Sequence, residues 1–203
     1  MATAARTREG DAMSLRGLLW ARMAELPRGP LGWLGAWGMT KMHMFDRAMA
    51  PELDLQPDDE LLDVGCGSGG LLLDHAAHVR FVAGLDVSEI QVRMARRRLA
   101  ERIAPGTAEI ALGDASALPW KDGRFSVATS INALKFVPDP EGALREIHRV
   151  LRPGGRAVLT MGEAEEPPAG SPETYVNDLR ERQWSDAAAQ RLMEDAGFVD
   201  VAV

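Results

Sequence analysis

The amino-acid sequence has little of several features that define common protein classes. Cys66 is its single cysteine, so the 203-residue chain cannot form an internal disulfide, or a zinc or iron–sulfur site built from several cysteines. No segment approaches the roughly 18 consecutive apolar residues of a membrane-spanning helix. Basic residues (23) are outnumbered by acidic residues (30), and the net charge of −7 argues against a protein that binds nucleic acid through a basic face.

The first residues also lack the apolar run of a secretory signal, since residues 1–16 carry five charged side chains. Together with the single cysteine, this predicts a reduced, cytoplasmic location. Hydrophobic residues make up 46% of the chain and charged residues 26%, which is typical of a folded globular domain. The length fits one large domain.

From residue 61 onward, short apolar runs alternate with longer segments that are rich in helix formers. The first run, Leu61–Val64, is stopped by glycines, and Ser88 is placed to cap a helix. This alternation predicts a mostly parallel sheet with helices on both faces, which is a doubly wound α/β fold of three layers. The predicted strands are 61–64, 81–85, 108–112, 125–130, 156–161 and 198–203, and the predicted helices are 71–79, 89–101, 140–151 and 186–196.

A glycine-rich segment, Asp63–Gly70, lies between the first predicted strand and its helix. Glycines permit positive φ angles and let a ligand approach the backbone amides at a helix N-terminus. Gly65, Gly67 and Gly70 fit the G-x-G-x-x-G pattern of dinucleotide-binding proteins, and Asp86 lies near the spacing of a ribose-binding acid. However, a carboxylate two residues before the first glycine suits a ligand with ammonium and sulfonium charges better than a pyrophosphate.

Five ordered motifs resemble those of the class I S-adenosylmethionine-dependent methyltransferases, in their small-molecule branch, over roughly residues 55–203. They are LLDVGCGSG (Leu61–Gly69), LDVS (Leu85–Ser88), GDA (Gly113–Ala115), LP followed by DGRF (Leu118–Phe125), and RVLRPGG (Arg149–Gly155). The resemblance implies a Rossmann-like fold and S-adenosylmethionine as the cofactor, with S-adenosylhomocysteine as its product.

The resemblance also implies which residues bind the cofactor. The acid of the second motif, Asp86, would hold the ribose hydroxyls, and the acid of the third, Asp114, would accept from the adenine amino group. Either acid could instead only close the turn after its strand. The complete set of predicted cofactor-binding residues is Asp63, Gly65, Cys66, Gly67, Gly69, Asp86, Val87, Asp114, Ala115, Ile131 and Asn132.

Catalytic residues are less clearly marked. The family often has a histidine near position 135, where this chain has Lys135, which could pair with an anionic acceptor. His43 is the other candidate, as an acid, a base or a substrate contact. A base is needed only if the acceptor loses a proton in the reaction. The sequence lacks the cysteines of arsenite methyltransferases and the Asp-Asp-Asn cluster of catechol-type enzymes, so we predict no metal site.

Residues 1–50 differ in composition from residues 51–203, which contain every cofactor motif. They carry a net charge of +3, three of the five tryptophans and seven of the ten methionines. We expect them to form a helical lid that contacts a small hydrophobic or aromatic acceptor, because methionine adapts to irregular apolar surfaces. The alternatives are a helical layer packed on the sheet edge and docking at a membrane surface.

The family usually ends in a hairpin, in which a sixth strand leads to an antiparallel seventh. The sequence stops at Val203, in or just after the predicted sixth strand, so we expect the final antiparallel strand to be missing. An uncovered edge strand favours association, and we expect a monomer or a homodimer. Two other functions stay open at this point: a NAD-dependent oxidoreductase, and a cofactor-binding protein without catalytic activity.

Overall fold

A computed structural model describes residues 53–160 and 184–203 of the chain. The sheet in these residues has five strands: β1 (Glu60–Val64), β2 (Phe81–Asp86), β3 (Ala108–Leu112), β4 (Phe125–Ser130) and β5 (Leu151–Leu159). The strand order is β3-β2-β1-β4-β5, and each neighbouring pair is parallel. The winding direction reverses between β1 and β4, and ligands of doubly wound proteins bind at the carboxyl ends of the strands at such a point. The predicted α/β class is confirmed.

Helices connect the strands. They are α1 (Gly70–His75), α2 (Glu89–Arg98), α3 (Ala100–Ile103), α4 (Pro140–Val150) and α5 (Asp186–Asp195), together with a 3₁₀-helix at Leu134–Phe136. Ser88 caps α2 as predicted, because its hydroxyl accepts from the amide of Gln91. Among the described helices, none has the length and apolar character needed to cross a membrane.

The core lies on both faces of the sheet, and successive residues of a strand contribute to opposite faces. Leu61 of β1 and Val82 of β2 are buried against α1 and α2. Leu62 and Ala83, the next residues along, are buried on the other face with α4. All four side chains are fully buried. This arrangement confirms the predicted three layers and leaves the strand ends as the place for a site.

The predicted sixth strand, over 198–203, is wrong, because these residues form no strand. The ring of Phe198 packs edge-on against the ring of His148 on α4, with their centroids 5.2 Å apart. Asp200 then has a φ angle of +55°, which is incompatible with an extended strand. The segment after α5 therefore turns onto α4.

Three other predicted boundaries are shifted. Helix α1 ends at His75 rather than at residue 79, and the turn that follows is held by the side chain of Arg102, which donates to the carbonyl of Val79. The helix predicted over 89–101 is interrupted at Leu99, between α2 and α3. Strand β5 begins at Leu151 and not at residue 156. Its residues 152–155 are looped out at a break in register, as expected for a bulge.

The amino ends of the strands are joined by a buried carboxylate, that of Asp59, which is 2% exposed. It accepts hydrogen bonds from the guanidinium of Arg156 (2.7 Å), the hydroxyl of Ser126 (2.6 Å) and the amide of Gln56 (2.8 Å). Burial by itself raises the pKa of Asp59, but these hydrogen bonds and the charge of Arg156 outweigh it, so the pKa lies below its ordinary value. Asp59 therefore stabilises the fold in its ionised form.

We expect Asp59→Asn to lower the free energy of unfolding at pH 7 by about 1–3 kcal/mol, because the amide leaves Arg156 without its buried anion. The ionised carboxylate stabilises the protein above the unfolded-state pKa of about 4, and this stabilisation is lost as the pH falls through the lower folded-state pKa. Urea unfolding of both proteins across the acid range would show a steeper pH dependence for the wild type. Asp58→Asn, which changes an exposed neighbour, is the control and should have little effect.

Candidate functional site

The carboxyl end of β1 continues into a loop whose backbone requires glycine. Gly65, Gly67 and Gly69 have φ angles of +79°, +53° and +76°, a region that costs other residues about 1–2 kcal/mol. At Gly65 a Cβ atom would also lie 2.2 Å from the Cβ of Ala133, whereas at Gly67 it would meet no atom of residues 53–160 and 184–203 within 4 Å. The loop thus packs tightly on one side and is open on the other.

The amides of this loop are used inside the protein, which corrects one expectation from the sequence. The amides of Gly65 and Cys66 donate to the carbonyl of Leu85, and that of Gly69 donates to the carbonyl of Cys66. The amide of Gly67 donates to Asp86. The glycines therefore leave the loop without side chains, so a ligand can approach its backbone. These four amides already donate hydrogen bonds within the protein and are not available to bind an anion. The Cys66 thiol is buried, and burial raises its pKa well above the ordinary value, which disfavours the reactive thiolate.

Asp86 ends β2 and faces the glycine loop. Its Oδ2 accepts from the amide of Gly67 at 2.9 Å, and its Oδ1 accepts from the amide of Ser88 at 2.8 Å. Each oxygen has a further lone pair, so the carboxylate can accept two more hydrogen bonds. Burial raises the pKa of Asp86, and the two backbone bonds oppose that rise. Asp86 closes the turn after its strand and also stays able to accept from a ligand.

Asp63, in β1, is the buried acid of the site, with 4% of its surface exposed. The hydroxyl of Thr129 on β4 donates to its Oδ1 at 2.9 Å. Thr129 is fully buried and was missed from the sequence, because only the pairing of β1 with β4 brings it beside Asp63. The hydroxyl of Thr129 therefore holds the Asp63 carboxyl in place two residues before Gly65.

The carboxyl ends of β2 and β3 present two apolar side chains to solvent. Val87 is 61% exposed and Leu112 is 52% exposed. Asp114 follows β3, is exposed, and accepts from both the amide and the hydroxyl of Ser116 through its Oδ1. The side chain of Ala115 is buried in the core. Leu112 was also missed, because an apolar residue in a strand is ordinarily expected to be buried.

On the other side of the loop, the segment after β4 carries the remaining predicted residues. Ile131 is partly buried against the core, and Asn132 has a φ angle of +56°. Ala133 contacts Gly65, as described above. Lys135 lies on the 3₁₀-helix, with its Nζ 5.3 Å from the centroid of the Phe136 ring. Lys135 therefore lies two residues after Ala133, which contacts the glycine loop.

His43 and the proposed lid, residues 1–50, lie outside the described residues. Within residues 53–160 and 184–203, no group of three or more histidine, cysteine, aspartate or glutamate side chains is arranged to hold a metal ion.

Comparison with known proteins agrees with this geometry. Residues 62–159 match the family described as "Methyltransferase domain". This match confirms the resemblance to the class I S-adenosylmethionine-dependent methyltransferases that the sequence motifs indicated. It is 37% identical over 115 residues to a demethylmenaquinone methyltransferase of Symbiobacterium thermophilum, which covers 55% of this chain and 46% of that protein. It is also 37% identical over 112 residues to the 27-O-demethylrifamycin SV methyltransferase of Amycolatopsis mediterranei, covering 55% and 41%.

The fold of this chain is shared with solved structures. The YcgJ protein from Bacillus subtilis superposes with a TM-score of 0.64 at 25% identity, covering 76% of this chain and 68% of that one. The chain spans about half the length, or less, of the curated relatives cited.

S-adenosylmethionine is the cofactor of this family, and the residues present fit it. The open face of Gly67 would admit a ligand close to the backbone, and the acids at the strand ends match its donors and its positive charge. Asp86 would hold the ribose hydroxyls, Asp114 the adenine amino group, and Val87 with Leu112 would flank the adenine ring.

Proposed function

We propose that this protein is an active methyltransferase that transfers a methyl group from S-adenosylmethionine to a small hydrophobic or aromatic acceptor. The observation that carries the proposal is the set of three acids, Asp63, Asp86 and Asp114, at the ends of three neighbouring strands around a glycine loop that is open at Gly67. Asp86 and Asp114 also close the turns after their strands, but both carboxylates keep lone pairs that can accept from a ligand.

The relatives support a small-molecule acceptor. Their names specify a demethylmenaquinone, a demethylrifamycin and, in a relative from Caenorhabditis elegans that is 31% identical over 111 residues, a sterol. The composition of residues 1–50 supports a lid that closes over such an acceptor, because their tryptophans and methionines are suited to apolar contacts. A net charge of −7 gives no support to a nucleic-acid substrate.

When bound, S-adenosylmethionine supplies a methyl group on a positively charged sulfur, which is already activated for transfer. The chain's own residues then need to align the acceptor and exclude water. We propose direct displacement without a metal ion. Where the acceptor must lose a proton, His43 is the candidate base, and Lys135 is the candidate partner of an anionic acceptor.

We expect the protein to bind S-adenosylmethionine and S-adenosylhomocysteine at least about tenfold more tightly than NAD, since a buried acid before the glycine loop disfavours a pyrophosphate. Titration calorimetry with the three ligands measures this preference. Equal or tighter binding of NAD would favour the oxidoreductase instead.

Binding alone does not separate an enzyme from a cofactor-binding protein. Incubation with S-adenosylmethionine and a panel of quinols, sterols and aromatic polyketides, followed by mass spectrometry, should show S-adenosylhomocysteine and an acceptor 14 Da heavier, about the mass of one added CH₂. Tight cofactor binding without turnover on any member of the panel would count against the apolar acceptor class.

A further inference from the structure

Asn132 has a backbone conformation that needs an external support. Its φ angle of +56° is in the left-handed region, which asparagine tolerates better than most residues but which still costs free energy. It lies two residues beyond the end of β4, between the core residue Ile131 and Ala133. Conformations of this kind persist where the surrounding structure holds them, and they concentrate at functional sites.

The support comes from Thr160, one residue beyond β5. The amide of Asn132 donates to the Thr160 hydroxyl oxygen at 2.6 Å. The amide of Thr160 donates in turn to the carbonyl of Ser130 at 3.0 Å. Thr160 thus holds the chain on both sides of Ile131, once through its backbone and once through its side chain.

Ala133, the residue that follows Asn132, packs against the glycine loop. The Cβ of Ala133 lies so close to Gly65 that a methyl group on Gly65 would stand 2.2 Å from it. The amide of Gly65 is bonded to Leu85 on β2, at 2.8 Å. The path of the loop is therefore defined by β2 on one side and by the position of Ala133 on the other.

We propose that Thr160 is a positioning residue of the cofactor site: its hydroxyl holds Asn132 in the left-handed conformation, and Ala133 transmits that position to Gly65. The inference rests on the proposed function for its effect on S-adenosylmethionine binding. Thr160 is not itself predicted to touch the cofactor, so a substitution there changes the support of Asn132 without replacing a predicted cofactor-binding side chain.

The test compares Thr160→Val, which keeps the shape but removes the acceptor oxygen, with Thr160→Ser, which keeps that oxygen. We expect Thr160→Val to bind S-adenosylmethionine about tenfold more weakly, the size expected for one ordinary hydrogen bond. Thr160→Ser should stay within about twofold of the wild type. The control is Ser126→Ala, which removes a hydroxyl from the opposite end of β4. It should lower the thermal midpoint and leave the affinity unchanged.

Amide hydrogen exchange is measured by NMR on the protein without cofactor. This measurement tests the inference independently of the proposed function. Thr160→Val should accelerate exchange at Asn132 and Gly65, and Ser126→Ala should not. A folded Thr160→Val protein with unchanged exchange at Gly65 overturns the inference, whether or not the wild type binds S-adenosylmethionine. Equal losses of affinity in Thr160→Val and Ser126→Ala also overturn it, since they would trace to stability alone. Absence of binding by the wild type would refute the proposed function only.

Discussion

Gly65→Ala is expected to weaken S-adenosylmethionine binding by at least about a hundredfold. The new methyl group would lie 2.2 Å from the Cβ of Ala133, and the residue would have to keep a φ angle of +79°. Overpacking costs about 1–3 kcal/mol and the left-handed conformation about 1–2 kcal/mol. Since both costs fall on the loop, its path must change. Titration calorimetry, with a thermal melt to establish that the variant is folded, measures the effect.

A matched control separates the clash from the backbone strain. Gly106 has a φ angle of +77°, almost that of Gly65, but a Cβ there would meet nothing within 4 Å in the part of the chain that the structure describes. It follows α3 and lies outside the predicted site. Gly106→Ala should therefore lose some stability and keep its affinity. Adding Ala133→Gly to Gly65→Ala removes the clashing atom and should restore part of the binding. Normal affinity in Gly65→Ala would show that the loop does not shape the site.

Asp86→Ala is expected to weaken cofactor binding by about 1.5–3 kcal/mol, the range for hydrogen bonds to a charged group, which is tenfold or more in affinity. The variant loses the predicted acceptor for the ribose hydroxyls and also the 2.9 Å bond to the amide of Gly67. The fold should survive, because Asp86 is at the end of a strand and only partly buried. Glu109→Ala, an exposed acid on β3, is the control for the loss of one negative charge and should bind normally.

The pH dependence of binding offers a second measurement on the same residue. Burial raises the pKa of Asp86 above its ordinary value, so the carboxylate takes up its proton at a higher pH than an exposed aspartate. Protonation removes the negative charge and part of the acceptor capacity. Affinity should therefore fall as the pH is lowered through that pKa, and Asp86→Ala should lack this component. An unchanged affinity in a folded Asp86→Ala protein would mean that Asp86 only closes its turn.

Several elements could be predicted because their signals are local. The glycine loop is recognisable from residues that adopt positive φ angles most readily, and the start of α2 from the capping position of Ser88. Four strands were placed to within one residue, because buried parallel strands are short apolar runs bounded by turn residues. The prediction of the sixth strand was wrong for a related reason. Phe198 and its apolar neighbours have a strand-like composition, but the ring of Phe198 packs against His148 on a helix.

The function of Arg149 could not be predicted locally. In the sequence it is part of a motif. In the structure its guanidinium donates to the carboxylate of Glu146, to Asp122 and to the carbonyls of Leu118 and Trp120. The hydrogen bond and charge of Glu146, and to a smaller extent those of Asp122, raise the pKa of Arg149. Arg149 thus links the loop before β4 to α4 through hydrogen bonds. This role depends on loop residues that lie 27 to 31 positions earlier in the chain.

The sequence by itself determined the α/β class, the glycine loop and the acids at the strand ends, since these depend on residue type and short spacing. Only the tertiary structure decided that four loop amides donate hydrogen bonds within the protein, that Thr129 donates to Asp63, and that Thr160 supports Asn132. The physical reason is that parallel strands which pair in the sheet are far apart in the sequence. Thr129 lies 66 residues from Asp63, so contacts between their ends are set by strand order and register, and no local pattern encodes them.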